Sequence, residues 1–285
     1  VATLDDGRTA EETRVVNSPA VGETLDVHAI AFAATVTDKN GERIGGLTAN
    51  DFKVTDRGEA VKVKVRDADD EPVTIGLAID SSASMRSVLL DTMETAFKFV
   101  NVAVSPRDRV FLVAFDDRPH LLESPTTDRD ALKNAIFDLR PAGTTALIDA
   151  IAFSLQQFTG LPGKKALVVV TDAIEASSTQ TSTAATRMAK ESGVPLYLVL
   201  PPGARMSQFG NPFVGIVNAS GGMIVNPPKP ENEEAIFTRI RDEVRGQYLL
   251  SFPSHASPAG AWRDLRVEVA RPHAVVRTIA GYYAR

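Results

Sequence analysis

Residues 75–85 read IGLAIDSSASM, from Ile75 to Met85. Val73–Ile79 is nearly all apolar, the pattern of a strand covered on both faces. The run stops abruptly at Asp80, and small hydroxyl residues follow, so that Asp80, Ser82 and Ser84 occupy alternate positions. Leu89, Met93, Ala96, Phe97 and Val100 then keep helical spacing. A carboxylate and two hydroxyls between a buried strand and a helix suit a hard cation. Taken alone, Asp80 reads equally well as a helix N-cap.

Downstream the rhythm repeats. Arg109–Phe115, Ala166–Thr171 and Pro195–Leu200 are further apolar runs of strand length. His120–Ser124 reads as a short edge strand, and Met223–Val225 as a small one. Between them the pattern predicts helices from Thr127-Asp128 to near Leu139, over Ala146–Phe158, Thr181–Ser192 and Phe213–Ala219, and finally over Glu233–Val244. Strand and helix in alternation imply right-handed crossovers and a mostly parallel, doubly wound sheet. Its binding site is expected at the C-terminal ends of the strands.

Both ends of the chain read differently. Leu25–Thr37, Asp51–Thr55 and the alternating Val61, Val63 and Val65 read as strands separated by turns at Asp38–Gly41 and Arg57–Glu59. Gln247–Phe252 and Leu265–Val269 are strands as well, and Val275–Ala280 is expected to pair back on the latter as a hairpin. Neither set closes alone. The economical arrangement is α/β: a doubly wound domain over 73–244 inserted in a β-sandwich built from 25–72 and 245–285. Residues 1–24 form an N-terminal arm, with a short ordered piece expected near Arg14–Val16. Trp262 and Tyr248 are expected in the sandwich core. Of Tyr282 and Tyr283, one should point inward and one outward.

Composition narrows the function. The formal charge is −5 with both signs scattered, unlike the basic stripe of a nucleic-acid binder. No run approaches the roughly 18 apolar residues of a membrane span, so no membrane insertion is expected. With no Cys there is no disulfide, thiolate ligand or cysteine nucleophile. The chain begins at Val1, and we expect a form from which a signal peptide has been removed.

Three points fall at strand ends or just beyond: Asp80-x-Ser82-x-Ser84, Gly143-Thr144-Thr145 and Thr171-Asp172. Carboxylates and hydroxyls, without His or Cys, suit Mg²⁺ (or Mn²⁺/Ca²⁺). IGLAIDSSASM, PAGTTALIDAI and ALVVVTDAIEASS resemble the von Willebrand factor A domain and its metal-ion-dependent adhesion site (MIDAS). With Gly46–Phe52 and Gly281–Ala284, the whole chain resembles the bacterial "VWFA-related" proteins first defined in Acidobacteria. The resemblance implies direct metal contact by Ser82, Ser84 and Thr145, and contact mostly through water by Asp80 and Asp172. It also implies a secreted, periplasmic or cell-surface location.

Ala173 stands where that family usually has Gly, and its methyl is tolerable if φ there is negative. Glu175 is the one acidic residue kept after it. Thr144 reads as a structural hydroxyl, Asp149 as a helix N-terminal charge or packing partner, and Asp116-Asp117 as a solvated loop pair. His28, His120, His255 and His273 read as surface or turn residues. The stretch from Phe209 to Phe213 reads as a packed loop or as part of the metal-side rim.

The expected function is therefore a non-enzymatic, metal-dependent module that binds an Asp or Glu carboxylate of a protein partner. A structural assembly protein using its sandwich, with a vestigial metal site, is the alternative. A metal-assisted hydrolase is disfavoured. The motif loops offer no evident general base, and there is no Gly-x-Ser-x-Gly elbow or phosphate loop.

Overall fold

The computed structural model describes residues 2–3, 9–10, 29–67, 71–201, 211–226, 233–253 and 260–284. Two short strands, β1 (Ala2–Thr3) and β2 (Thr9–Ala10), pair with each other near the N-terminus. The stretch at Arg14–Val16, His28 and His255 lie outside the described residues.

The N-terminal strands that follow are β3 (Ala29–Thr37), β4 (Phe52–Asp56), β5 (Glu59–Val61) and β6 (Lys64–Asp67). Next come β7 (Val73–Asp80), α1 (Leu89–Ala103), β8 (Arg109–Phe115), β9 (Pro119–Thr126), α2 (Arg129–Phe137) and α3 (Leu147–Gln156). Then follow β10 (Lys164–Val170), α4 (Ser182–Ser192), β11 (Leu196–Val199), α5 (Pro212–Ser220), β12 (Met223–Val225) and α6 (Glu233–Arg245). The chain closes with β13 (Tyr248–Pro253), β14 (Trp262–Val269), β15 (Val275–Thr278) and β16 (Gly281–Tyr283).

Six strands form one sheet in the order β12-β11-β10-β7-β8-β9, parallel except for the edge strand β9. Every residue of β7 is buried, as its unbroken apolar sequence requires. Its side chains divide between two cores. Ile75, Leu77 and Ile79 pack with Leu89, Met93, Leu132 and Ile240 on the α1/α2/α6 face. On the other face the middle of β7 carries only Gly76 and Ala78, where the Phe111 ring of β8 lies across Gly76 and packs on Phe158 at 4.8 Å. A Cβ on Gly76 would stand 2.3 Å from Phe111 Cζ. Gly76→Ala is therefore expected to destabilise the protein by about 1–3 kcal/mol through overpacking, read as a lower guanidinium midpoint at unchanged slope.

The chain ends form two four-stranded antiparallel sheets, β15-β3-β13-β6 and β16-β14-β4-β5. They face each other across one core of Phe32, Val36, Phe52, Val54, Tyr248, Leu250, Phe252, Leu265 and Tyr282. The chain is thus α/β, with a doubly wound, mostly parallel sheet inserted in a β-sandwich of both chain ends. Asp108, 1% exposed, anchors both crossings between the two parts. It accepts the Val73 N–H (2.9 Å) where the chain enters the parallel sheet and pairs with Arg245 where α6 leaves it.

Some expected strands connect otherwise. The alternation over residues 61–65 is one pattern in the sequence but two strands in space. β5 pairs with β4, and β6 with β13 in the opposite sheet. The break at Lys62-Val63 carries the chain across the sandwich. Likewise β14 and β15 are not a hairpin, although Pro272 and His273 do form a turn. β15 pairs with β3, and it is β16 that returns to β14. Trp262 is half-buried on the outside of the sandwich, beneath Lys190 of α4 (4.3 Å) and against Tyr283 (5.0 Å). Tyr248 is fully buried, and Tyr282 points inward while Tyr283 does not.

In the sandwich core Arg263 forms an ion pair with Asp56 at 2.6 Å, and the Tyr282 hydroxyl donates to the same carboxylate at 2.9 Å. Burial, reinforced by that carboxylate, pushes the Tyr282 phenol up to about 12. Asp56 itself is 0% exposed.

Candidate metal centre

The C-terminal end of β7 delivers Asp80 into the interior, at 0% exposure. Its Oδ1 accepts the Ser82 N–H (2.9 Å) and its Oδ2 accepts the Thr171 hydroxyl (2.6 Å). Asp80 is therefore the residue that turns the chain out of β7, through an Asx-type bond two residues on. The following short 3-10 turn, Ala83–Ser87, brings Ser82 Oγ and Ser84 Oγ to 3.0 Å. Helix α1 starts only at Leu89, with Val88 as its cap, so Asp80 is not its N-cap.

Backbone bonds tie the first loop to the second. Ala83 N–H donates to Gly143 O (3.1 Å), and Ala142 N–H to Ser81 O (2.9 Å). The second loop is bound to the third in the same way, with Ala176 and Ser177 N–H both on Thr145 O (2.9 and 3.1 Å). Thr144 spends its side chain on this scaffold: the hydroxyl donates to Asp117 Oδ1 (2.6 Å) and lies 2.8 Å from Ser177 Oγ. Thr145 is 2% exposed, and its hydroxyl has no hydrogen-bond partner among the described residues.

Asp172 follows β10, half-buried, with Oδ1 accepting the Ile174 N–H at 3.1 Å. The third loop is held by two carboxylates. Glu175 accepts from the Ile148, Ser177 and Ser178 N–H groups and from the Ser178 hydroxyl. Asp149 accepts from the Thr179 N–H and hydroxyl and from the Gln180 N–H. Asp149 is thus a packing partner. Asp117 is not a free loop charge: it holds Thr144, whose hydrogen bonds keep its carboxyl below the usual carboxylate range. Asp117, read from the sequence as part of a solvated loop pair, and Thr171, read there only as the residue before Asp172, both support the site through these hydrogen bonds.

Ala173 has φ 59. The condition under which its methyl would be harmless does not hold, because a left-handed backbone crowds Cβ against the following carbonyl. Ala173→Gly is expected to raise stability by about 1 kcal/mol, seen as a higher Tm in EDTA. Phe213 is buried in the core of α5 and is not a rim residue, while Phe209 lies outside the described residues.

Burial drives the Asp80 carboxyl above its ordinary value against the pull of its hydrogen bonds, and the charge of nearby Asp172 pushes the same way. Among the described residues no Lys, Arg or His lies within ion-pair distance of Asp80. Nor do three or more His, Cys, Asp or Glu gather into a metal cluster among them. The groups expected from the sequence, the carboxylates of Asp80 and Asp172 and the hydroxyls of Ser82, Ser84 and Thr145, are of the kind that suits a hard divalent cation keeping part of its water.

A family model described as "von Willebrand factor type A domain" matches residues 75–175. Over those residues the chain is similar to von Willebrand factor A domains. A UPF0353 protein of Mycobacterium tuberculosis is 29% identical to it over 157 residues, 48% of this chain and 44% of that one. Its counterpart in Mycobacterium bovis matches to the same extent, so the chain spans under half the length of these curated relatives. Among solved structures, a von Willebrand factor type A protein of Catenulispora acidiphila shares the fold over 92% of this chain and 74% of its own, with TM-score 0.54 and 14% identity. The PilB minor pilin of Streptococcus sanguinis covers 62% of each chain at TM-score 0.50 and 12% identity.

Proposed function

We propose that this protein is a non-enzymatic interaction module. It binds an Asp or Glu carboxylate of a protein partner through Mg²⁺ (or Mn²⁺/Ca²⁺) held by Asp80, Ser82, Ser84, Thr145 and Asp172. The observation that carries the reading is the buried Asp80 carboxylate, raised by burial and by Asp172, on loops that also present Ser82, Ser84 and Thr145. A bound divalent cation would supply charge compensation and an open position for an outside oxygen ligand. The chain's own contribution is rigidity. Thr171 and the Ser82 N–H fix Asp80, Asp117 fixes Thr144, and Glu175 and Asp149 fix the third loop. Such second-layer bonds set ligand orientation before the ion arrives.

Among the described residues no helix is long and apolar enough to cross a membrane. Proteins of this fold include a minor pilin, and we place this chain, too, outside the cytoplasm or at the cell surface.

Calorimetric titration of MgCl₂, MnCl₂ and CaCl₂ into EDTA-stripped protein tests the metal. Saturable binding at one site is expected, and no heat at millimolar metal would overturn the reading. A pull-down with and without EDTA, read by mass spectrometry, then tests the partner. Proteins retained equally in EDTA count against a metal-borne contact.

A further inference from the structure

Ile174 is 52% exposed, the one large apolar side chain presented to solvent by the three site loops among the described residues. The other exposed positions there include Ala83, Ser84, Ala142, Gly143 and Thr144, all small. A single exposed isoleucine is ordinary on a protein surface. This one is held outward by an unusual amount of structure. Its own N–H is committed to Asp172 Oδ1, so the side chain leaves the backbone from the residue that steadies a proposed metal ligand. The preceding Ala173 sits at φ 59 while its N–H is bound to Thr171 Oγ1 at 3.0 Å. The following Glu175 is fixed by four hydrogen bonds. A non-glycine residue kept in a left-handed conformation costs stability, and such outliers gather where a loop must present a group in one direction. Relaxing φ at Ala173 would swing Ile174 off the rim.

We infer that Ile174 is a specificity-determining residue. The carboxylate that binds at the metal centre belongs to a protein segment carrying a branched aliphatic or aromatic side chain within two residues of its Asp or Glu, and that side chain packs on Ile174. The inference rests on the function proposed above and adds the class of partner sequence. Two residues of extended chain span at most about 7 Å, so Ile174 and Asp172 match the spacing of an acidic residue and its near neighbours on a partner strand. The exposed residues of the first two loops are small or, at Arg86 and Arg140, charged, so the apolar contact falls on the third loop alone.

Panning a random heptapeptide display library on the whole protein, in MgCl₂ and in EDTA, tests this. Peptides recovered only with Mg²⁺ are expected to carry Asp or Glu. Those with Ile, Leu, Val or Phe within two positions should bind wild type on the order of ten-fold tighter than acidic peptides without one, as covering a half-exposed isoleucine implies. Ile174→Ser should abolish that difference while acidic peptides are still recovered. Calorimetry with MgCl₂ on the same variant shows whether its metal centre is intact. Acidic peptides with no apolar neighbour preference, or a preference that survives in I174S, overturn the inference and leave the proposed function standing. The absence of any Mg²⁺-dependent acidic peptide on wild type overturns both.

Discussion

Asp80→Asn is expected to abolish saturable Mg²⁺ binding and, in EDTA, to leave the protein at least as stable as wild type. The two effects have one origin. In the metal-free protein the Asp80 charge is buried and faces Asp172, so the ionised form is the unfavourable one. Asparagine keeps the shape and keeps an oxygen for the Ser82 N–H, while Thr171 can turn its hydroxyl to accept from the new amide. Asp172 is then the one carboxylate of the proposed site left to neutralise a cation. Wild type should gain about 1.4 kcal/mol of stability at a Mg²⁺ concentration ten times Kd, and the variant none. The pH dependence has a definite sign. A carboxyl raised in the folded state binds its proton more tightly than in the unfolded chain. Its contribution is fully present below the unfolded value, near 3.8, and is lost as pH rises through the raised one. In EDTA, wild type should therefore lose stability over that interval relative to Asp80→Asn, and saturating Mg²⁺ should remove the difference. Thermal melts of both proteins across pH, with and without Mg²⁺, read all of this. A variant that binds Mg²⁺ like wild type would remove Asp80 from the site.

The expected donors Asp80, Ser82, Ser84 and Asp172 stand out in the sequence because each lies within a few positions of a strand end, and strand ends show as abrupt stops in apolar runs; Thr145, between α2 and α3, stands out only through the family resemblance. Val73–Ile79 stops at Asp80 and Ala166–Val170 stops before Thr171-Asp172, so the sheet and the clustering of its loops follow from local patterns. What supports the donors was not legible in the same way. Asp117 and Thr144 are 27 positions apart, as are Glu175 and Ile148, and only the folded loops bring them together. Ala173 was decided by a torsion angle, which residue type alone does not set. In the sandwich, alternation correctly marked half-buried strands but not which sheet each one joins. Trp262 was misplaced for a related reason. A residue's face follows from its register, and Trp262 lies opposite Tyr283, on the side that meets α4.

Asp56→Ala is expected to be the most damaging substitution outside the hydrophobic cores, at about 3–5 kcal/mol, because it breaks a buried ion pair from one side. Asp56 ends β4, and Arg263 projects from the neighbouring β14; they are 0% and 5% exposed. Arg263 Nε approaches both carboxylate oxygens, at 2.8 and 2.9 Å, and the guanidinium makes a further contact with Oδ2 at 2.6 Å. Tyr282, on β16, closes the same carboxylate from the other side of β14. One carboxylate thus joins three strands drawn from both ends of the chain, and removing it leaves a guanidinium and a phenol in a space that water does not reach. Tyr282→Phe should cost less, about 1–2 kcal/mol, since the ion pair survives and one hydrogen bond to a charged group is lost. Arg263→Met combined with Asp56→Leu should recover most of the loss, because it removes the charges together and refills their volume. If the pair instead served mainly to fix the sandwich's register, the double variant would regain its Tm but broaden its unfolding transition. Because the sandwich frames the inserted sheet, Mg²⁺ affinity measured below the melting temperature should be unchanged in all three variants. That separates the strength of the frame from the chemistry of the loops it carries.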